Sequence, residues 1–300
     1  LIEKSGKQTP LTITDVVFGI APRINAAGRI EHGKRAVQLL IETNESKAKD
    51  FAEGIENHNT ERKELDQNIT NEALEMIDDS KKSTVVYSSD WHKGVVGIVA
   101  SRLIENYYKP TIVLSEKDGE LTGSARSVKG FNLYDALLQC EHLLEKFGGH
   151  KYAAGLTLKK ENLRTFIDEF EKVVSRTITT DQLVAEIEVD LEIDIDEVDD
   201  KLYRIIKQFA PFGPKNRTPN FVSKKVTDCG WGKKVGEGKT HLRLVLNTST
   251  EKITAIGFRM ADYFEKTTEK KTFNICYAID ENTWNGKTSL QLRLKGIKSS

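Results

Sequence analysis

Five short stretches stand out, four of them with residue types suited to meeting a ligand and the fifth a rigid turn. The first is Phe147-Gly148-Gly149-His150-Lys151-Tyr152-Ala153-Ala154-Gly155. Two glycines before a histidine remove side-chain bulk and permit positive φ, so backbone can approach a ligand closely. His150 is the candidate catalytic residue: it could donate to a phosphate oxygen or position a strand. Gly148, Gly149 and Lys151 join it as candidate substrate contacts. The alternative is a helix ending at Gly148, with the histidine incidental.

The second stretch is Ala21-Pro22-Arg23-Ile24-Asn25-Ala26-Ala27-Gly28-Arg29, where Pro22 is expected to break any helix. Arg23 and Arg29 flank small residues, and Asn25 lies between them. Two guanidiniums beside exposed amides suit a phosphate, which arginine grips through two parallel hydrogen bonds. Structural arginines capping helix ends are the alternative. The third, Gly123-Ser124-Ala125-Arg126-Ser127, puts a hydroxyl and a guanidinium on one strand face by period-two alternation. A lone surface arginine on an edge strand is the bland reading. The fourth is the loop Trp91-His92-Lys93-Gly94, in which His92 either meets a ligand or packs the loop. The fifth is the rigid turn Pro211-Phe212-Gly213-Pro214.

The elements that must position these residues follow from the pattern. Residues 33–42 read as a short amphipathic helix with Ala36, Leu39 and Leu40 inward. Helical spacing then runs from Ser46 to Met76, with a polar and therefore exposed waist from Asn57 to Arg62. Thr84–Tyr87, Val95–Tyr107 and Thr111–Leu114 read as strand, helix and strand, a βαβ unit with the Trp91 loop at a strand's carboxyl end. Leu121–Val128 gives a strand, Leu133–Leu144 a helix, Leu156–Leu158 a strand and Leu163–Val174 a helix. Val184–Ile195 alternates apolar and acidic residues, as a one-sided strand would, and Lys201–Phe209 reads as a short helix. Short strands near Phe221–Val226, His241–Leu246, Ile253–Phe258, Phe273–Ala278 and Ser289–Ile297 suggest a small Greek-key barrel. The fold class is α/β plus β-barrel: a small βαβ-containing mixed-sheet domain joined to an OB-like barrel, with a long N-terminal connecting helix.

A zero net charge over 300 residues conceals an asymmetry. Residues 181–200 hold ten acids and no base, whereas residues 201–300 hold 20 bases against 8 acids. That local surplus is the footprint of nucleic-acid binding, unless the acidic segment supplies its counter-charges. Trp231, Lys233, Lys234 and Arg243 are candidates for a nucleic-acid groove, and Trp231, Phe258, Tyr277 and Trp284 could stack bases. Cys140, Cys229 and Cys276 are too scattered for a zinc site or a disulfide framework and fit a reducing, cytoplasmic setting. No apolar run approaches the roughly 20 residues of a membrane span. A start at Leu1-Ile2-Glu3 is the expectation for a piece of a longer protein.

In order and spacing, these five stretches, the fourth extended as Trp91-His92-Lys93-Gly94-Val95-Val96-Gly97-Ile98-Val99-Ala100-Ser101-Arg102, resemble the RecJ family of single-strand-specific 5′→3′ DNA exonucleases. The resemblance covers essentially the whole chain. It implies residues 1–45 as the tail of a DHH phosphoesterase domain, 46–80 as a connecting helix, 81–180 as the DHH-associated substrate-binding domain and 181–300 as an OB-fold. It implies two-metal chemistry with manganese or magnesium, single-stranded DNA with a 5′ end as substrate, roles in repair and recombination, and helicases and single-strand-binding proteins as collaborators. Ser124 and Arg126 match the family's 5′-phosphate pair, His150 its Gly-Gly-His position, and Arg23 and Arg29 arginines near the scissile strand.

The departure is that no Asp-His-His triplet stands in this sequence, nor another Asp/His cluster for two divalent ions. The expectation is therefore a chain that holds substrate, binds no metal itself and does not hydrolyse DNA alone. Two other classes remain: a non-catalytic single-stranded nucleic-acid-binding module, and a DHH-type phosphodiesterase acting on short oligonucleotides or cyclic dinucleotides.

Overall fold

The computed structural model describes residues 1–213, 215–267 and 271–299, with every side chain among them except that of Trp284. Pro214 of the predicted turn and the Trp284 indole therefore lie outside the described residues. The chain divides into two units, Leu1–Ala185 and Glu186–Ser300.

The first unit opens with helical segments α1 (Ile2–Ser5), α2 (Ile13–Asp15), α3 (Ala21–Ile30) and α4 (Lys34–Ile41). Pro22 does not break α3; it occupies the first turn, where its missing N–H would have no intrahelical acceptor. Ala36 is buried in α4 but Leu40 is 65% exposed, against expectation. Helix α5 (Glu45–Glu75) is capped by the Asn44 side chain, which accepts from the Lys47 amide. Of its predicted exposed waist, Asn57, Thr60 and Glu61 are exposed but Asn59 is fully buried, as is Asp66 one turn beyond. Asn59 finds partners on its own helix, Glu56 and Arg62, whereas Asp66 meets Arg102 of another helix, which a helical wheel cannot reveal.

A five-stranded sheet follows, in the order β1 (Thr84–Ser88), β2 (Thr111–Lys117), β3 (Glu120–Arg126), β5 (Ala153–Lys159), β4 (Lys146–His150). Strands β1 and β2 pair in parallel across helix α6 (Val96–Tyr107), the expected βαβ unit. One face of the sheet packs on α5 and α6 through Ile69, Val86, Val99, Leu103 and Val113. The other packs on α7 (Leu133–Leu138) and α8 (Leu163–Thr177) through Ile112, Leu121, Leu137, Phe166 and Phe170. The predicted helix to Leu144 stops at Leu138. After a short 3₁₀ turn the chain enters β4, so Gly148 sits in a strand and caps no helix.

The second unit carries β6 (Leu191–Glu192), α9 (Asp200–Lys207), β7 (Phe221–Val226), β8 (Lys233–Val235), β9 (His241–Asn247), β10 (Lys252–Gly257), α10 (Phe264–Thr267), β11 (Phe273–Trp284) and β12 (Lys287–Ser299). Its sheet order is β6-β7-β11-β12-β10-β9-β8. The segment after β7 returns to β9: Asp228 bridges Leu246, and the Cys229 amide donates to the Val245 carbonyl at 2.8 Å. That pairing closes five strands into an OB-like barrel around Leu242, Leu244, Ala255, Phe273, Ile275, Tyr277 and Leu292. The alternating segment Val184–Ile195 forms only the two-residue β6, because Leu191 and Glu192 alone find a ladder partner, on β7. Strand β8 was not anticipated. Among the described residues no helix is long and apolar enough to cross a membrane.

Candidate anion-binding site

Strand register assembles the site in the first unit. Ser124 on β3 lies opposite Gly155 on β5, which lies opposite Gly148 on β4. Arg126 lies opposite Ala153, which lies opposite His150. Residues directly opposite share a face, and so do residues two apart. Ser124, Arg126, Gly148 and His150 therefore all stand on one face, while Ala125 and Ala154 point into the core on the other. Gly149 shares that second face, and a Cβ there would lie 2.3 Å from the Ala153 carbonyl oxygen, so only glycine fits.

The Arg126 guanidinium donates to the Ser124 hydroxyl at 2.8 Å and to the Ala125 carbonyl at 2.8 Å. Over this pair lies the first turn of α6. A Cβ on Gly97 would come 3.0 Å from Arg126 Nη2 and 3.1 Å from Ser124 Oγ. A helix N-terminus presents amides and a positive dipole end, which favours an anion. Burial, then the neighbouring Arg29, lowers the Arg126 pKa from its usual value, so a second cation faces the same ground.

Arg29 arrives from α3. Its guanidinium donates to the Gly94 carbonyl at 3.1 Å, and a Cβ on Gly94 would stand 2.1 Å from the Arg29 carbonyl oxygen. The same Cβ would lie 2.9 Å from His92 Cε1, while His92 Nδ1 accepts from the Gly94 amide at 3.1 Å. Glycine at 94 is thus what lets α3 reach the loop after β1. Asn25 is exposed one helical turn before Arg29.

Not every predicted residue joins this cluster. Arg23 is engaged elsewhere: it pairs with Glu56 and donates to the Gly19 and Lys4 carbonyls at 2.7 and 2.8 Å. His150 and Lys151 are exposed; His150 Nδ1 accepts from the Tyr152 amide at 3.2 Å, and the Lys151 ammonium sits 5.5 Å from the Tyr152 ring centroid. Trp91 is core, its indole donating to Glu72 at 2.8 Å.

Two arginines escaped sequence reasoning. Arg102 on α6 donates to Asp66 on α5 at 2.7 Å, and Arg62 lies 3.6 Å from the same carboxylate oxygen. Burial lowers the Arg62 pKa, and Arg102 and Arg29 push the same way against Asp66. The polar run in α5 was the available signal, read as solvated. Among the described residues no group of three or more His, Cys, Asp or Glu converges. Guanidiniums repel a divalent cation, so the residues of this cluster do not fit manganese or magnesium.

In the barrel, Trp231 is 63% exposed with the Lys252 ammonium 4.1 Å from its ring centroid, and Lys233 lies opposite Arg243 across β8 and β9. Lys234 departs from the predicted groove: it lies opposite Leu242, on the other face, and reaches Glu265 at 3.9 Å. Phe258 is exposed and meets His241 edge-on. Tyr277 is core, its hydroxyl 2.8 Å from the Ser223 hydroxyl.

Comparison with known proteins agrees with this architecture. Residues 80–176 match the DHHA1 domain model and residues 189–296 the RecJ OB domain model. The single-stranded-DNA-specific exonuclease RecJ of Bacillus subtilis is 34% identical over 93% of this chain and 36% of its own length. Its namesake in Haemophilus influenzae is 30% identical over 96% of the chain and 52% of its length. The chain thus spans between a third and about half of these relatives. A crystal structure of RecJ from Thermus thermophilus with Mn²⁺ superposes with a TM-score of 0.86 at 25% identity, covering all of this chain and 43% of that one. With a DHHA1 domain followed by a RecJ OB domain, the chain belongs to the RecJ family.

Proposed function

We propose that this chain is the substrate-capturing part of an exonuclease that degrades single-stranded DNA from its 5′ end. The observation that carries this is the Ser124 hydroxyl and Arg126 guanidinium, bonded to each other on one sheet face beneath the N-terminus of α6. A terminal phosphate carries more charge than a bridging one, so such a pocket prefers a strand end over its interior. Arg29 adds charge, and Gly148 leaves room beside the pair. His150 shares the face and would meet the strand. The barrel, with Trp231, Lys233 and Arg243, would grip the strand further along by stacking and by backbone charge.

Hydrolysis with manganese or magnesium falls, in this reading, to the remainder of a protein of the relatives' length. Roles in repair and recombination, beside a helicase and a single-strand-binding protein, follow from the same reading. The test is binding of 5′-phosphorylated and unphosphorylated single strands by fluorescence anisotropy. We expect the phosphorylated strand to bind ~10-fold tighter, and Arg126→Ala to abolish that preference while leaving the unphosphorylated affinity nearly unchanged. Equal affinities in the unmutated chain would remove the pocket from the reading.

A further inference from the structure

Charge around the site is out of balance. Arg126, Arg29, Arg62 and Arg102 gather around α6: Arg29 bonds the Gly94 carbonyl just before that helix, Gly97 of the helix covers Arg126, and Arg102 of the helix shares the Asp66 carboxylate with Arg62. Neighbouring carboxylates are spent elsewhere, Glu56 on Arg23 and Glu31 on Arg35. Among the described residues, the carboxylate paired with any of these four guanidiniums is Asp66, fully buried. A terminal phosphate brings about −1.5 to −2 at neutral pH, which leaves roughly one positive charge uncompensated.

Position places that surplus. Gly97, above Ser124 and Arg126, and Arg102 lie on one helix five residues apart, about 7.5 Å along its axis. Arg62 is held from behind, by Asn59 at 2.9 Å as well as by Asp66. Each guanidinium has five N–H donors, and the bonds to Asn59 and Asp66 use only part of them.

We infer that Arg62 and Arg102, spaced by Asp66, form with Arg29 a second phosphate subsite, so that the site takes the first two phosphates of a 5′-phosphorylated strand. The inference rests on the reading of Ser124 and Arg126 as the terminal-phosphate pocket. The Asp66 carboxylate keeps the two arginines apart and aimed, and it moderates their charge so that the internal phosphate can be released as the strand advances.

Calorimetric titration with a 5′-phosphorylated mononucleotide and a 5′-phosphorylated dinucleotide tests this. The dinucleotide should bind ~10-fold tighter, the worth of one charge-assisted contact. Arg102→Gln and Arg62→Gln should each cut that gain below ~3-fold with the mononucleotide affinity unchanged; each leaves Asp66 one arginine, and thermal melting checks the fold. Asp66→Asn should act with opposite sign and widen the gain, which a merely structural role would not do. A gain that survives both arginine variants, or mononucleotide binding that falls in parallel with it, overturns the second subsite. If the unmutated chain does not distinguish phosphorylated from unphosphorylated dinucleotide, the Ser124 and Arg126 reading fails instead. A retained phosphate preference without a dinucleotide gain sinks the second subsite alone.

Discussion

The two units carry their positive charge in different ways. In the first, arginines are tied to named partners: the half-buried Arg126 to Ser124 and Arg102 to Asp66, and the exposed Arg29 to Gly94. In the barrel, cations stand mostly at the surface, as with Lys252 over the exposed Trp231. Held guanidiniums have already lost their rotamer freedom and can select for geometry, in the proposed function a strand end. Exposed lysines and an aromatic plate give affinity that any sequence satisfies and that salt erodes. Under the proposed function, one unit would discriminate and the other hold.

That contrast can be broken at several points. The largest effect is expected from Gly94→Ala, whose methyl would meet the Arg29 carbonyl oxygen at 2.1 Å. Overpacking against backbone should cost about 3 kcal/mol in denaturant unfolding and abolish phosphate selectivity, whereas Gly155→Ala, with only an ordinary contact at 3.9 Å, should unfold like the parent. Trp231→Ala should weaken single-strand binding by ~1–3 kcal/mol in anisotropy, equally for phosphorylated and unphosphorylated strands. A loss confined to phosphorylated strands would reverse the assignment of roles.

Tyr277→Phe probes the barrel core. Burial pushes this phenol up to about 12 from an ordinary 10.0. The unfolded hydroxyl ionises first, so barrel stability is complete below pH 10 and falls as the pH rises toward 12. The substitution should cost ~1 kcal/mol near neutrality, from the lost Ser223 bond, and flatten the alkaline decline measured by urea unfolding. The smallest effect belongs to Lys233→Gln, which should reduce the salt slope of single-strand binding by about 1 without changing selectivity.

Much of the layout was legible beforehand. Period-two alternation put Ser124 and Arg126 on one face, and the strand, loop and helix around Trp91 gave the βαβ unit, because these signals are local. What escaped was tertiary. Asp66 and Arg102 are 36 residues apart in the chain, so nothing near Asp66 announces that a polar helix waist is buried by a partner. Strand β4 was hidden because Gly148 and Gly149 carry no strand propensity; their place comes from pairing with β5. Val184–Ile195 shows the converse error, a period of two of which only Leu191 and Glu192 pair, on β7.

Asp228 has a consequence beyond closing the barrel. One oxygen accepts from the Val245 amide at 2.8 Å and the other from the Gly230 and Gly232 amides at 2.8 and 3.0 Å. The loop bearing Trp231 is thereby pinned at its root on both sides of the indole, like a tile set in a frame. A different side chain could be exchanged at 231 without disturbing the frame, so the loop would hold its place whatever ring or chain it carried there.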